Sequence, residues 1–250
     1  MLNNVFINII MFKYALIFIG GNIMNKGFTL AEVLITLGII GIVAALTLPS
    51  LITQHKKTEY SARLKKFYST MEQAIRMSEM ENGEITDWNR SGNSQIDDEG
   101  DFDFEANGKI TKEFFMDYLS PYFKYTSITD GKNTIDENGE KGGENTTIYF
   151  ADGSSISLYN GGCIDIIFDT NASSLPNEEG RDQFRYLFCF DKSERIYYCG
   201  NENKVFCTYG LNNTSSRKTI LNSCKNTKQY CSRLLQIDGW EFQKDYPHRL

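Results

Sequence analysis

One acid stands out for its surroundings. From Phe28 to Leu48 the chain reads FTLAEVLITLGIIGIVAALTL, 21 residues in which Glu32 is the single charge. An ionised carboxylate in such a medium costs on the order of a few kcal/mol unless a cation meets it. Asn25-Lys26-Gly27 stands just upstream, so a cut after Gly27 would free an amine on Phe28. That amine is a natural partner for Glu32 of a neighbouring copy. The plainer reading of Glu32 is a carboxylate that simply reaches the membrane interface.

Sulfur chemistry comes next. Cys163, Cys189, Cys199, Cys207, Cys224 and Cys231 form an even set, all after residue 162. Zinc would want CxxC-like spacing, which is missing, so disulfides are expected. Fifteen pairings are open to them. Cys199 is expected to pair with Cys207 across a Gly200-Asn201 turn. A Cys224–Cys231 bond needs a break in any helix between them, since seven helical residues rise about 10 Å. Catalysis finds no footing. The two histidines, His55 and His248, are far apart in the sequence, and no HExxH, P-loop or GxSxG is present. The acidic run DDEGDFDFEANG fails as an EF-hand: counted from Asp101, position six is Ala106 and position twelve is Lys112. It reads as a surface loop.

The elements that must carry these residues follow from pattern. At about 1.5 Å per residue the 28–48 run reaches about 30 Å, a bilayer core. Pro49 is expected to end or kink it. Beyond, Leu64, Phe67, Met71, Ala74, Ile75 and Ser78 recur at helical spacing and predict an amphipathic extension to Asn82-Gly83. A short helix is expected at 111–119, capped by Thr111 and stopped by Pro121, and a long loop at 126–145. Strands are expected at 146–150, 155–159, 163–168 and 184–190, with a hairpin turn at Gly153. The end of the chain reads as a helix from Gln229, a Gly239 turn, a strand carrying Trp240 and Phe242, and a fraying tail from Asp245. Helix followed by strands gives α+β: a long N-terminal helix packed on a small antiparallel sheet.

With 32 acidic and 26 basic residues the chain is net negative, which argues against nucleic acid as a partner. Charge is segregated. Residues 49–80 hold six Lys/Arg and three Asp/Glu, 81–145 hold six and sixteen, and 217–250 hold seven and three.

The stretch MNKGFTLAEVLITLGIIGIVAALTLPSL, Met24 to Leu51, resembles the N-terminus of type IV prepilins and type II secretion pseudopilins. Gly27 stands before the cut, Phe28 after it, Glu32 is fifth in the mature chain, and Pro49 closes the run. Gly38 and Gly41 fall where that family tolerates helix-loosening residues. The resemblance implies cleavage by a prepilin peptidase, N-methylation of Phe28, and assembly through Glu32. It implies a pilin-like, disulfide-stabilised fold with a leader at 1–27, a membrane helix at 28–48, its extension at 49–82 and an extracytoplasmic head at 83–250. Residues 1–23 exceed the family's short leader, so translation is expected to begin at Met24.

The implied partners are other pilins or pseudopilins, the peptidase, a membrane assembly platform and inner-membrane lipid. The implied location is the bacterial inner membrane, single-pass, with the head in the periplasm or on a surface filament. The segment DTNASSLPNEEGRDQF also resembles a pseudopilin loop, and Asp169, Asn171 and Asp182 are oxygen donors of the kind calcium takes there. Asx turns account for the same residues without an ion, and no other cofactor is expected. Two other functions fit the same chain. One is an adhesin or DNA-uptake tip; the other is a solute binder or enzyme on a pilin-like anchor.

Overall fold

The computed structural model describes residues 29–89, 93–210 and 215–250. The chain divides into two compact units, one ending at Leu51 and one running from Ile52 to Leu250. Helix α1, Leu30–Asn82, contributes to both. Among the described residues it is the one helix long and apolar enough to cross a membrane. It runs through Pro49, so the stop that was one of the two outcomes expected there does not occur. A proline inside a helix removes one backbone hydrogen bond. Propagation from the long stretches on both sides carries the helix past that loss.

In the second unit α1 buries the predicted stripe: Leu64, Phe67, Met71, Ala74, Ile75 and Ser78, with Tyr60 added one turn earlier. Against it stands a six-stranded antiparallel sheet in the order β1-β4-β5-β6-β7-β8. The strands are β1 Tyr125–Thr129, β4 Thr146–Phe150, β5 Ser155–Asn160, β6 Ile164–Asp169, β7 Gln183–Phe188 and β8 Phe206–Thr208. Alternation along β4 and β6 turns Ile148, Phe150, Ile164, Ile166 and Phe168 inward. Phe67 is the central anchor. Its ring stacks on Phe168 at 4.3 Å and meets Tyr186 edge-on at 5.2 Å. Gly153, at φ 81°, makes the β4–β5 turn as expected.

Three parts of the head depart from the sequence reading. The second helix, α2, spans Phe104–Phe114 rather than starting at Thr111, and Asp103 caps it by accepting from the Glu105 and Ala106 N–H groups. Thr111 is buried inside it and donates to the Asn107 and Gly108 carbonyls. Gly108 obscured this helix in the sequence. A Cβ there would stand 2.6 Å from the Gly131 Cα, so close packing of two backbones requires the glycine. A π-helical turn at Phe115–Leu119 and a 3₁₀ turn at Ser120–Tyr122 follow.

Next, the expected 126–145 loop holds β1 and a separate hairpin, β2 Lys132–Ile135 with β3 Lys141–Glu144. These strands are largely exposed, so they carry no apolar alternation to reveal them. The last departure is at the C-terminus. Helices α3 Arg217–Asn226 and α4 Cys231–Ile237 are followed by Gly239 at φ 68° and Trp240 at φ 69°, and no strand forms. Nor does the tail fray. The Tyr246 hydroxyl donates to the Gly180 carbonyl at 2.7 Å, and Asp245 pairs with Arg217 at 2.8 Å.

Candidate functional site

Glu32 sits in the first turn of α1, exposed. Its Oε2 accepts from the Thr29 N–H at 3.0 Å and the Thr29 hydroxyl at 2.9 Å, and its own N–H donates to Thr29 Oγ1 at 3.3 Å. Thr29-x-x-Glu32 is thus a capping box, each end satisfying the other's N–H. The T-x-x-E spacing was legible, and the sequence reading passed over it. Only one carboxylate oxygen is used. Oε1 makes no hydrogen bond among the described residues, so it can take a further donor. Gly27 and Phe28, the expected cleavage and methylation positions, lie outside the described residues.

The rest of the first unit's described part presents apolar surface with no partner among the described residues. Leu30, Leu34, Ile35, Leu37, Ile40 and Leu46 are all exposed. The Thr36 and Thr47 hydroxyls donate to the Glu32 and Val43 carbonyls, each at 2.9 Å, so neither is left unpaired in an apolar medium. A Cβ at Gly38 or Gly41 would touch nothing. Both positions are therefore open among the described residues.

The head is cross-linked three times: Cys163–Cys189, Cys199–Cys207 and Cys224–Cys231. The last bond requires the break anticipated for it. Helix α3 ends at Asn226, Thr227 turns extended at φ −136°, and α4 begins at Cys231. His248 Nε2 lies 2.9 Å from the Cys224 carbonyl oxygen. Its ring nitrogen and the two sulfurs fall within 4.8 Å of one another, but the disulfide holds both sulfurs, which leaves no thiolate for a metal.

Two family models match. The first covers residues 23–48 and describes the prokaryotic N-terminal methylation motif. The second covers residues 50–250 and describes a family of unknown function, DUF6613. The chain belongs to DUF6613. No curated protein and no solved structure matches it. The methylation motif makes it a type IV pilin- or pseudopilin-like precursor, and its α+β fold of long helix and antiparallel sheet is pilin-like. Such a motif implies, in general, assembly with other pilins and processing by a prepilin peptidase. The apolar helix with this motif is consistent with membrane anchoring.

In the DUF6613 head the structure brings Asp169, Asn171 and Asp182 into one loop. Asp169 Oδ1 accepts from the Asn171 N–H at 2.9 Å, and Asp169 Oδ2 from the Gln183 amide at 2.9 Å. Asp182 accepts from the Glu178 and Asn177 N–H groups at 2.7 and 3.0 Å. With its amide nitrogen turned inward, Asn177 donates to the Ala172 and Ser174 carbonyls at 2.9 and 3.0 Å and to Asp169 Oδ2 at 3.2 Å. Asn171 Oδ1 is buried without a partner. The donor set is therefore all oxygen, hard, and suited to calcium. It is also largely satisfied by the loop's own amides. Burial pushes the Asp169 carboxyl up to about 6, with neighbouring Asp182 adding to the rise and the Asn171 and Gln183 donors opposing it.

The acidic run holds a cation of its own. Asp97 Oδ1 accepts from the Glu99 and Asp101 N–H groups, both at 2.9 Å. Lys141 Nζ reaches Asp97, Glu99 and Asp101 at 2.7, 2.5 and 3.4 Å. The ammonium from β3 occupies the centre of the loop, where the spacing had already argued against calcium. Sequence reasoning missed this pairing because 40 or more residues separate the partners. It also missed Arg195, whose buried guanidinium donates to the Cys189, Phe190 and Glu202 carbonyls. No pattern in the sequence marks that residue.

Proposed function

We propose that this chain is a minor pilin or pseudopilin of a type IV pilus or type II secretion pseudopilus. It is cut after Gly27, methylated at Phe28 and drawn from the inner membrane into a filament through α1, with its head outside the cytoplasm. One observation carries the reading: the matching methylation motif takes in the start of an apolar helix whose single acid has, among the described residues, one oxygen without a hydrogen bond. The function is assembly and not catalysis. Packing the apolar faces of neighbouring helices together keeps them from water once the bilayer is left behind.

The DNA-uptake alternative draws only on the basic C-terminal segment, and two of its seven basic residues are paired within the chain. Arg217 pairs with Asp238 and Asp245, and Lys228 with Glu178. The deciding experiment is mass spectrometry of the N-terminus of membrane-extracted protein. The expected chain begins at methylated Phe28. A chain that keeps Met24 or Met1 in cells with active peptidase overturns the reading.

Calcium in the head belongs to the same proposal. Asp169, Asn171 and Asp182 would hold it, and the ion would supply charge compensation for two buried carboxylates. The readout is stability between pH 4 and 7, with EGTA and with calcium. Without metal the folded Asp169 titrates near 6 against an ordinary 3.8, so the folded state binds the proton more tightly. Stability then falls as pH rises through that window. Calcium would keep the carboxylate ionised and remove the fall. The same fall in both conditions removes calcium from this loop.

A further inference from the structure

A short helical turn, Lys192–Glu194, runs into a π-helical turn, Arg195–Cys199, and there the head raises a small apolar knob. Ile196 is 57% exposed and Tyr197 74%, with Tyr198 beside them in edge-to-face contact with Tyr197 at 4.7 Å. An exposed Ile-Tyr-Tyr run would ordinarily sit on a mobile loop, but this one is held from beneath. The buried Arg195 donates to the Cys189, Phe190 and Glu202 carbonyls. Cys199 is bonded to Cys207 of β8, and Gly200 closes the turn at φ 72°. Two tyrosines presented on so fixed a backbone lose little freedom on burial, which is what a binding hot spot requires.

A complementary hollow lies elsewhere on the same unit. A cavity of about 350 Å³ opens between α1 and the β4–β5 turn. Its walls are Phe67, Phe123, Phe150 and Phe168, arranged as two stacked pairs with centroids 4.3 and 5.3 Å apart. Arg63, Lys66 and Lys124 stand around it against one acid, Asp152. Lys66 pairs with Asp152 at 2.7 Å, while Lys124 forms no ion pair among the described residues. The exposed charges flanking the knob lean the other way, Asp191 and Glu202 against Lys192, while Glu194 and Lys204 are half-buried and Arg195 is buried.

Knob and hollow lie at opposite ends of one strand. The hollow touches the turn that leads into β5, at Ala151–Ser154. The knob's own turn packs beside the turn that leaves β5, where Cys163 Sγ lies 3.7 Å from Glu194 Oε2. Six strand residues separate them, about 20 Å at about 3.4 Å each. One molecule therefore cannot satisfy itself.

We propose that the Ile196–Tyr198 knob of one copy seats in the aromatic hollow of the next. The Tyr197 ring lies between the phenylalanine walls, with its hydroxyl at the Arg63, Lys66 and Lys124 rim. Such a contact is heterologous, and a heterologous contact that does not close on itself extends as an open chain. It gives the heads an assembly contact of their own, separate from the one proposed at Glu32, and it does not depend on cleavage at Gly27.

The test uses the full chain in detergent micelles, with a photoreactive benzophenone side chain in place of Tyr197. Photoreactive protein is mixed with ¹⁵N-labelled protein, irradiated and mapped by mass spectrometry. The expected product joins position 197 of one isotopic population to a peptide of the other that contains Phe123-Lys124 or Phe150–Ser154. Excess wild-type protein should lower its yield several-fold, and excess Tyr197→Ala protein should not. Crosslinks only within one chain, crosslinks to another surface, no crosslink, or equal competition by Tyr197→Ala each overturn the proposal. So does native mass spectrometry that finds a small molecule filling the hollow. Because unprocessed chain serves equally well, a negative result here leaves the Phe28 reading standing, and the converse also holds.

Discussion

The two halves of α1 share one backbone and differ in what covers them. Between Leu30 and Leu51 no residue is buried, although leucine, isoleucine and valine dominate and Glu32 is the single charge. Between Tyr60 and Ser78 charges alternate with apolar residues, and seven positions are buried against the head. A periodic stripe can be matched by one sheet, whereas a helix that is apolar all round needs partners on every side. The first half thus needs cover that the described residues do not supply, and the second finds it in its own head.

That contrast predicts separable failures. The largest effect should come from Phe67→Ala, which empties the centre of the core and should cost about 3–5 kcal/mol. Thermal unfolding followed by near-UV circular dichroism should shift down by about 10 °C or more, while the protein stays in the membrane fraction. Loss of membrane association would mean that the two halves are not independent.

Replacing Cys163 and Cys189 by serine should come next, at about 3.5 kcal/mol in the chain-entropy description, against about 2.4 for Cys224 and Cys231. The order follows loop length, 26 residues against seven. A reversed order in melting temperature would show that native packing around the sulfurs outweighs loop closure.

Glu32→Gln should do the opposite of Phe67→Ala. The head's unfolding temperature should stay unchanged, and incorporation into sheared filaments should drop about tenfold or more, as expected when an apolar-side cation loses a charged partner worth about 2 kcal/mol. Thr29→Ala sharpens this by removing the hydroxyl half of the intrachain cap, the residue-29 N–H still donating to Glu32. Incorporation should hold, and a loss equal to that of Glu32→Gln would assign the glutamate to capping.

The smallest effect should be on the acid side. The Lys141 ammonium, helped by the Asp101 and Glu99 N–H groups, holds Asp97 down at about 2. A lowered folded pKa contributes stability above the ordinary 3.8 that is lost as pH falls toward 2. Lys141→Met should flatten that slope in acid titrations of the head and lower stability at pH 7 by the same amount, which is small because the group is solvent-exposed. An unaltered slope would remove Lys141 from the loop.

Legibility followed locality. The stripe from Leu64 to Ser78 and the strands β4 to β7 were readable because each repeats a period within a few residues. The break between Cys224 and Cys231 could be anticipated because helix rise and disulfide reach are both fixed lengths. Helix α2 was misread because Gly108 and Asp103 look like loop residues until Gly131 is brought against one and the Glu105 and Ala106 N–H groups meet the other. The β2–β3 hairpin was missed because its exposed residues carry no alternation, and backbone pairing leaves no trace in side-chain type.

The candidate site divides in the same way. Gly27, Phe28 and Glu32 were singled out in the sequence by residue type and by the prepilin resemblance. The commitment of one Glu32 oxygen to Thr29 needed coordinates.

By itself the sequence determined that an apolar helix with one acid precedes the head, that a meander of strands follows, and that six cysteines are there to be joined. Those are consequences of residue type and short-range period. Only the tertiary structure decided which cysteines meet, that Lys141 neutralises the acidic loop, and that a rigid tyrosine knob and a phenylalanine hollow stand at opposite ends of one strand. Contacts of that kind depend on distances between residues far apart in the chain. Those distances are set by how helix and sheet pack, not by any local preference.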